Sequence, residues 1–171
     1  MPSFTESKKL PGVIIVQPDV LLDPRGDYTM IFNEQLYAEH GIKGPFVEHC
    51  ISTSKFGTIR GLHADYACNK LLQVLHGAVF YVLLDLQTSQ WEGFTLSARN
   101  RLQLYKPAKY ASGLLALTDD ALFVYYQDHY YDPRRQQSWR WDDERFSIHW
   151  PLHPIIISER DEKADSKVLL R

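Results

Sequence analysis

Cysteine is scarce in this sequence, with Cys50 and Cys68 the only two in 171 residues. Two cysteines cannot build a disulfide framework, and their spacing fits no zinc pattern. Reduced thiols in a cytoplasmic protein are the expectation. Long apolar runs are missing too. No stretch approaches the roughly 18 apolar residues of a membrane span. The opening MPSFTESKKLPG lacks the apolar centre of a secretory signal. A net charge of strongly one sign is also absent. Nineteen Lys and Arg stand against 21 Asp and Glu, for a formal charge of −2. No global basic field argues for nucleic acid, so any phosphate must be bound by local cations. Helical periodicity is sparse, and there is no internal repeat or low-complexity linker.

Aromatic residues are plentiful, at 13% of the chain with ten Tyr and four Trp. They favour strands and sites that stack flat ligands. Apolar and alternating runs predict strands near residues 13–16, 71–74, 78–86, 94–97, 102–105, 113–117 and 121–126. His76-Gly77 reads as a turn, and Thr118-Asp119-Asp120 as a hairpin turn. One short helix is expected over residues 33–40, with Asn33 or a neighbour as cap and Gly41 as stop. Short strands about ten residues apart predict an all-β sandwich, jelly roll or barrel in a single domain over 1–171. Past Asp142 the chain reads as an irregular tail.

Three stretches carry chemistry-bearing side chains. The first is RGLH, Arg60 to His63, with Lys70 shortly after. On a flat strand Arg60 and His63 would face opposite ways, but a bulge at Gly61 could bring them together. The second stretch, residues 123–133, holds four tyrosines: Tyr125, Tyr126, Tyr130 and Tyr131. The third runs from WDDE at Trp141 through IHWP to SERD, Ser158 to Asp161. Read alone, each fits an ordinary surface or core role equally well.

Taken in order, with DPRGDY around Arg25, KLLQV, GAVFYVLLD, LSARN, QLYKP and YYDP, they resemble the dTDP-4-dehydrorhamnose 3,5-epimerase family. The resemblance runs from about residue 12 to 161. It implies a cupin-type jelly-roll barrel and a homodimer to which N-terminal strands, about residues 1–30, contribute. It implies a nucleotide-sugar substrate and no cofactor. His63 matches the general base, Asp161 its paired carboxylate, and Tyr125 the proton donor on the opposite sugar face. Arg60 and Lys70 match cations around the keto oxygen and phosphates. Tyr131 matches the aromatic that stacks on the nucleotide base. Arg25 matches a substrate-binding arginine reached from the partner subunit.

That assignment is chemically coherent. An imidazole with a pKa near ~6.5 cannot by itself remove a hydrogen α to a ketone. Lys70 and Arg60 would stabilise the enolate as it forms. Asp161 would orient His63 and favour its protonated form. Metal is disfavoured, because the paired His of metal-binding cupins is missing: Ala64-Asp65 follows His63.

The sequence departs from the family pattern at substrate contacts. Ser112 stands where the family usually has His, and Met30 where it has Glu. Asp65 replaces a Gln, Gln136 replaces a Glu, and Arg160 replaces a Lys. Glu48 lies in the segment that contacts the nucleotide, and its carboxylate could accept from a guanine edge. Ser112, Glu48, Asp65 and Arg160 are therefore candidate substrate contacts, with either dTDP or GDP as carrier. Two alternatives share the fold: a 3,4-ketoisomerase of the same sugars, and a sugar-nucleotide-binding protein without activity.

Overall fold

The computed structural model describes residues 1–164. Its strands are β1 (Ser3–Glu6), β2 (Ile14–Gln17), β3 (Leu21–Asp23), β4 (Gly26–Tyr28), β5 (Glu48–Ser54), β6 (Ile59–Ala64) and β7 (Lys70–His76), then β8 (Ala78–Leu84), β9 (Trp91–Ser97), β10 (Gln103–Lys106), β11 (Ala111–Ala116), β12 (Ala121–Gln127) and β13 (Gln137–Ser138). Helix α1 (Glu34–Glu39) lies between β4 and β5, and α2 (Glu159–Glu162) follows β13.

Two antiparallel sheets face each other. One has the order β1-β2-β10-β7-β12-β5, the other β13-β6-β11-β8-β9. Alternation along the strands divides the apolar residues between layers. Leu72, Val74 and Phe123 of the first sheet meet Val79, Tyr81, Leu83 and Leu114 of the second in the central core. Residues of opposite parity point outward and are covered separately. Leu71 and Tyr105 pack under α1 with Tyr37 and Ile42. Leu62, Ala64 and Leu84 pack under the C-terminal segment with Trp139 and Phe146. The irregular tail is thus a cover for the second sheet.

The all-β expectation holds, as a jelly roll of two open sheets rather than a barrel closed by hydrogen bonds. The helix also holds: the Asn33 side chain accepts the Leu36 N–H at 2.9 Å, and Gly41 takes φ +85° just past the end. One turn is corrected. Thr118-Asp119-Asp120 is not a hairpin, because β11 and β12 belong to different sheets. The chain crosses the sandwich there, as it does at Gly77. Local turn residues report a reversal but not which sheet receives the next strand. Strand β5 was missed because its alternating EHCISTS segment is polar on both faces.

The bulge foreseen in β6 is present. His63 lies opposite Ser112 and Arg60 opposite Leu114, so three steps on β6 match two on β11. Gly61 is required there. It has φ +128°, and a Cβ would sit 2.6 Å from the Gly113 Cα. The extra residue sends Leu62 into the outer cluster and leaves both Arg60 and His63 on the cavity wall.

Candidate active site

A cavity of about 510 Å³ opens between the two sheets. His63 reaches it from β6 and Tyr125 from β12, so they come from opposite walls. The His63 Nε2 lies 2.6 Å from the Asp161 Oδ1. Asp161 is buried, and its other oxygen accepts the Gly61 N–H at 3.1 Å. The Asp161 N–H in turn donates to the Ser158 hydroxyl at 3.2 Å, which caps α2. The segment before α2 is docked by the Ile155 N–H to the Gly57 carbonyl, at 2.9 Å, and by the Ile59 N–H to the Ile156 carbonyl, at 3.0 Å. Burial alone would raise the Asp161 carboxyl. The His63 hydrogen bond and charge, the Gly61 amide and Ser158 outweigh it and hold the carboxyl below its usual value. With Nε2 engaged as donor, Nδ1 is the ring nitrogen left to take a proton.

On the opposite wall, burial first and then the Cys50 thiol push the Tyr125 phenol well above its ordinary value, so it stays protonated. The Lys70 Nζ lies 4.7 Å from the Tyr125 ring centroid.

Of the residues singled out from the sequence, His63, Asp161, Tyr125, Arg60, Asp65, Lys70, Ser112, Tyr131 and Arg160 all line this cavity. Arg60 is anchored by Nε to Ser54 at 3.0 Å and by a second guanidinium nitrogen to the Thr53 carbonyl at 3.1 Å. Arg160 donates to the Ser138 hydroxyl at 2.9 Å, and Ser138 is the cross-strand neighbour of His63. Asp65 is buried, yet it has donors: Gln136 at 3.0 Å, the Ala67 N–H at 3.1 Å, and Arg135 in an ion pair. It therefore ties residues 135–136 to the cavity rim, where the half-exposed Tyr131 sits.

Two of the singled-out residues do not line this chain's own cavity. Glu48 does not line the cavity. Its carboxylate accepts from Gln127 at 3.1 Å and from the Tyr131 N–H at 3.1 Å, so it holds the Tyr131 backbone instead. Arg25 also lies outside it, on the turn between β3 and β4. Its side chain is 90% exposed and paired with Asp23 at 2.6 Å.

Tyr81 and Lys106 are among the cavity residues that were not foreseen. Tyr81 faces the core beside Phe123, with ring centroids 5.5 Å apart, and inward alternation with Val79 and Leu83 was its available signal. Lys106 lines the cavity and is 2% exposed. Its signal was a lysine closing the otherwise uncharged strand QLYK. Among the described residues, no three His, Cys, Asp or Glu side chains gather as metal ligands. No described helix is long and apolar enough to cross a membrane.

The protein is a cupin-type jelly roll that sets a carboxylate-backed imidazole and a protonated phenol on opposite walls of one cavity. The family model for dTDP-4-dehydrorhamnose 3,5-epimerase matches residues 7–167. The Escherichia coli dTDP-4-dehydrorhamnose 3,5-epimerase is 37% identical over 166 residues, covering 91% of this chain and 89% of that one. The crystal structure of the Legionella pneumophila dTDP-6-deoxy-D-glucose-3,5-epimerase, in complex with dTDP-4-keto-L-rhamnose, superposes with a TM-score of 0.90 at 31% identity, covering 96% of this chain and 92% of that one. A 3'-monoepimerase from Streptomyces bikiniensis, in complex with dTDP-quinovose, gives a TM-score of 0.88 at 26% identity, covering 94% and 86%. The chain belongs to the dTDP-4-dehydrorhamnose 3,5-epimerase family.

Proposed function

We propose that this chain inverts C3, C5 or both in a 4-keto-6-deoxy sugar carried on a nucleoside diphosphate. His63 removes the proton beside the ketone through Nδ1. Asp161 holds the ring and stabilises the imidazolium as it forms. Lys70 and Arg60 stabilise the negative charge that develops on the keto oxygen. Tyr125 returns a proton from the other face. The observation that carries this reading is the placement of the His63–Asp161 pair and Tyr125 on opposite walls of one cavity. Tyr131 stacks on the nucleotide base at the rim.

The carrier is dTDP or GDP. Relatives act on dTDP sugars by name, but Ser112 and Asp65 stand at positions where the resemblance expects other side chains. A dimer completes the site. Its support is the β3–β4 arm, where Leu21, Leu22 and Tyr28 are 63%, 79% and 65% exposed and Arg25 lies outside its own cavity. Arg25 of one subunit then reaches the cavity of the other.

The test is solvent isotope uptake. The 4-keto-6-deoxy sugars of dTDP and GDP are incubated with the protein in heavy water and followed by NMR. Deuterium at C3 or C5 is expected, and a His63→Asn variant that remains folded loses it. No uptake on either carrier contradicts the reading, and a ketone moved to C3 would make the enzyme a ketoisomerase.

A further inference from the structure

Strand register aligns four polar side chains across the cavity-facing sheet. Lys106 lies opposite Lys70, Lys70 opposite Gln127, and Gln127 opposite Glu48. At one end Glu48 is satisfied by Gln127 and by the Tyr131 N–H. At the other end two amines are neighbours with no carboxylate between them. Like charges directly across a strand pair are unfavourable. Burying an amine without a partner is more so.

The nearby charged and titratable groups do not resolve this. Lys70 has the same sign as Lys106. The Asp65 carboxylate is taken by Arg135, Gln136 and the Ala67 amide. The Asp128 carboxylate is taken by the Asn69 amide, the Asn69 side chain and His129. Cys68 is buried, and its thiol is pushed up by that burial, so it is no anion. Among the described residues the Lys106 amine makes no hydrogen bond or ion pair. Packing alone gives no reason for it, since Leu or Met would fill the same space.

We propose that Lys106 is a substrate-contacting residue and that its amine and that of Lys70 together hold one oxyanion of the bound nucleotide sugar. The pair is incomplete until that oxyanion arrives. Burial chiefly, and Lys70 next, pull Lys106 down to about 7, so without an anion beside it the amine is partly neutral near that pH. An anion beside it reverses that balance, and the lysine takes up a proton on binding. The oxyanion has two sources in the proposed substrate: the diphosphate, or the keto oxygen as it becomes an enolate. Only the second source depends on the epimerase reading.

The experiment compares wild type with Lys106→Met by titration calorimetry at pH 7.5, using dTDP and GDP in buffers of different ionisation heat. Turnover by isotope uptake is measured in parallel. If the diphosphate is the anion, wild type takes up protons on binding the nucleotide. The variant then takes up fewer and binds at least about tenfold more weakly. If the enolate is the anion, nucleotide binding is unchanged and kcat falls about a hundredfold, with little change in KM. Binding, proton uptake and kcat all within twofold of wild type would overturn the proposal. A wild type that binds nucleotide but never exchanges isotope sinks the epimerase reading, while the binding comparison still judges Lys106. Should Lys106→Met fail to fold, Lys106→Gln, which keeps a neutral donor, provides the same comparison.

Discussion

The His63 Nε2 and the Asp161 Oδ1 are 2.6 Å apart, although 98 residues separate them along the chain. Asp161 also receives the amide of Gly61, the residue that makes the bulge in β6. One carboxylate therefore joins the imidazole to the backbone irregularity that aims it.

Asp161→Asn keeps the shape and most of these contacts but loses the charge opposite the imidazolium. Isotope uptake should fall by about 10²–10⁴-fold with little change in KM. The depressed Asp161 carboxyl also makes a stability claim. A carboxyl held below its unfolded value contributes stability that is present above the ordinary carboxylate range and is lost as pH falls through the folded value. The contribution of Asp161 should therefore fade as pH falls below the ordinary carboxylate range, seen as converging melting temperatures of wild type and Asp161→Asn in strong acid.

Tyr125→Phe separates the two halves of the reaction. His63 can still remove and return a proton on its own face, so deuterium should enter the substrate. Inverted product should fall by about a hundredfold or more. Deuterium NMR and product chromatography on one sample read both quantities. Full inversion by the variant would remove Tyr125 from the mechanism.

Asp65→Ala releases the hold on Arg135 and Gln136 while leaving His63 and Asp161 in place. The rim carrying Tyr131 loosens, so KM for the nucleotide sugar should rise about tenfold with kcat within about twofold. Steady-state kinetics decides this, and a fall confined to kcat would place Asp65 at the chemistry instead.

Lys106→Met should change the pH dependence of stability. Lys106 is pulled down to about 7. The unfolded chain then binds more protons than the folded one from about pH 7 to the usual ~10.4. The buried lysine is thus most destabilising below pH 7, and its penalty fades as pH rises. The variant should melt above wild type at pH 6, and the difference should shrink toward zero by pH 10. A difference constant across that range would refute the assignment.

Arg25→Ala and His63→Asn should each be nearly inactive alone, and mixing them after subunit exchange should restore activity. In a mixed dimer one cavity has both an intact His63 and an intact Arg25 from its partner. About a quarter of the sites in an equal mixture should recover. No recovery would confine Arg25 to its own chain or remove it from the site.

Strand periodicity indicated the fold class, and the family resemblance carried by ordered motifs such as RGLH, KLLQV, YYDP and SERD pointed to nine of the side chains that line the cavity. These are local signals: alternation records which strand face is buried, and motif order records the chain path. Tertiary structure alone decided the rest. Whether β11 and β12 pair or cross between sheets depends on long-range packing, which turn residues do not encode. Glu48 looked like a ligand contact until Gln127 and the Tyr131 amide were seen to occupy it. Asp65 read as a candidate substrate contact, and only the fold brings its partner Arg135 to 3.3 Å, across 70 residues of sequence. Lys106 looked like an ordinary lysine at a strand end, because burial and the nearness of Lys70 exist only once β10 lies against β7.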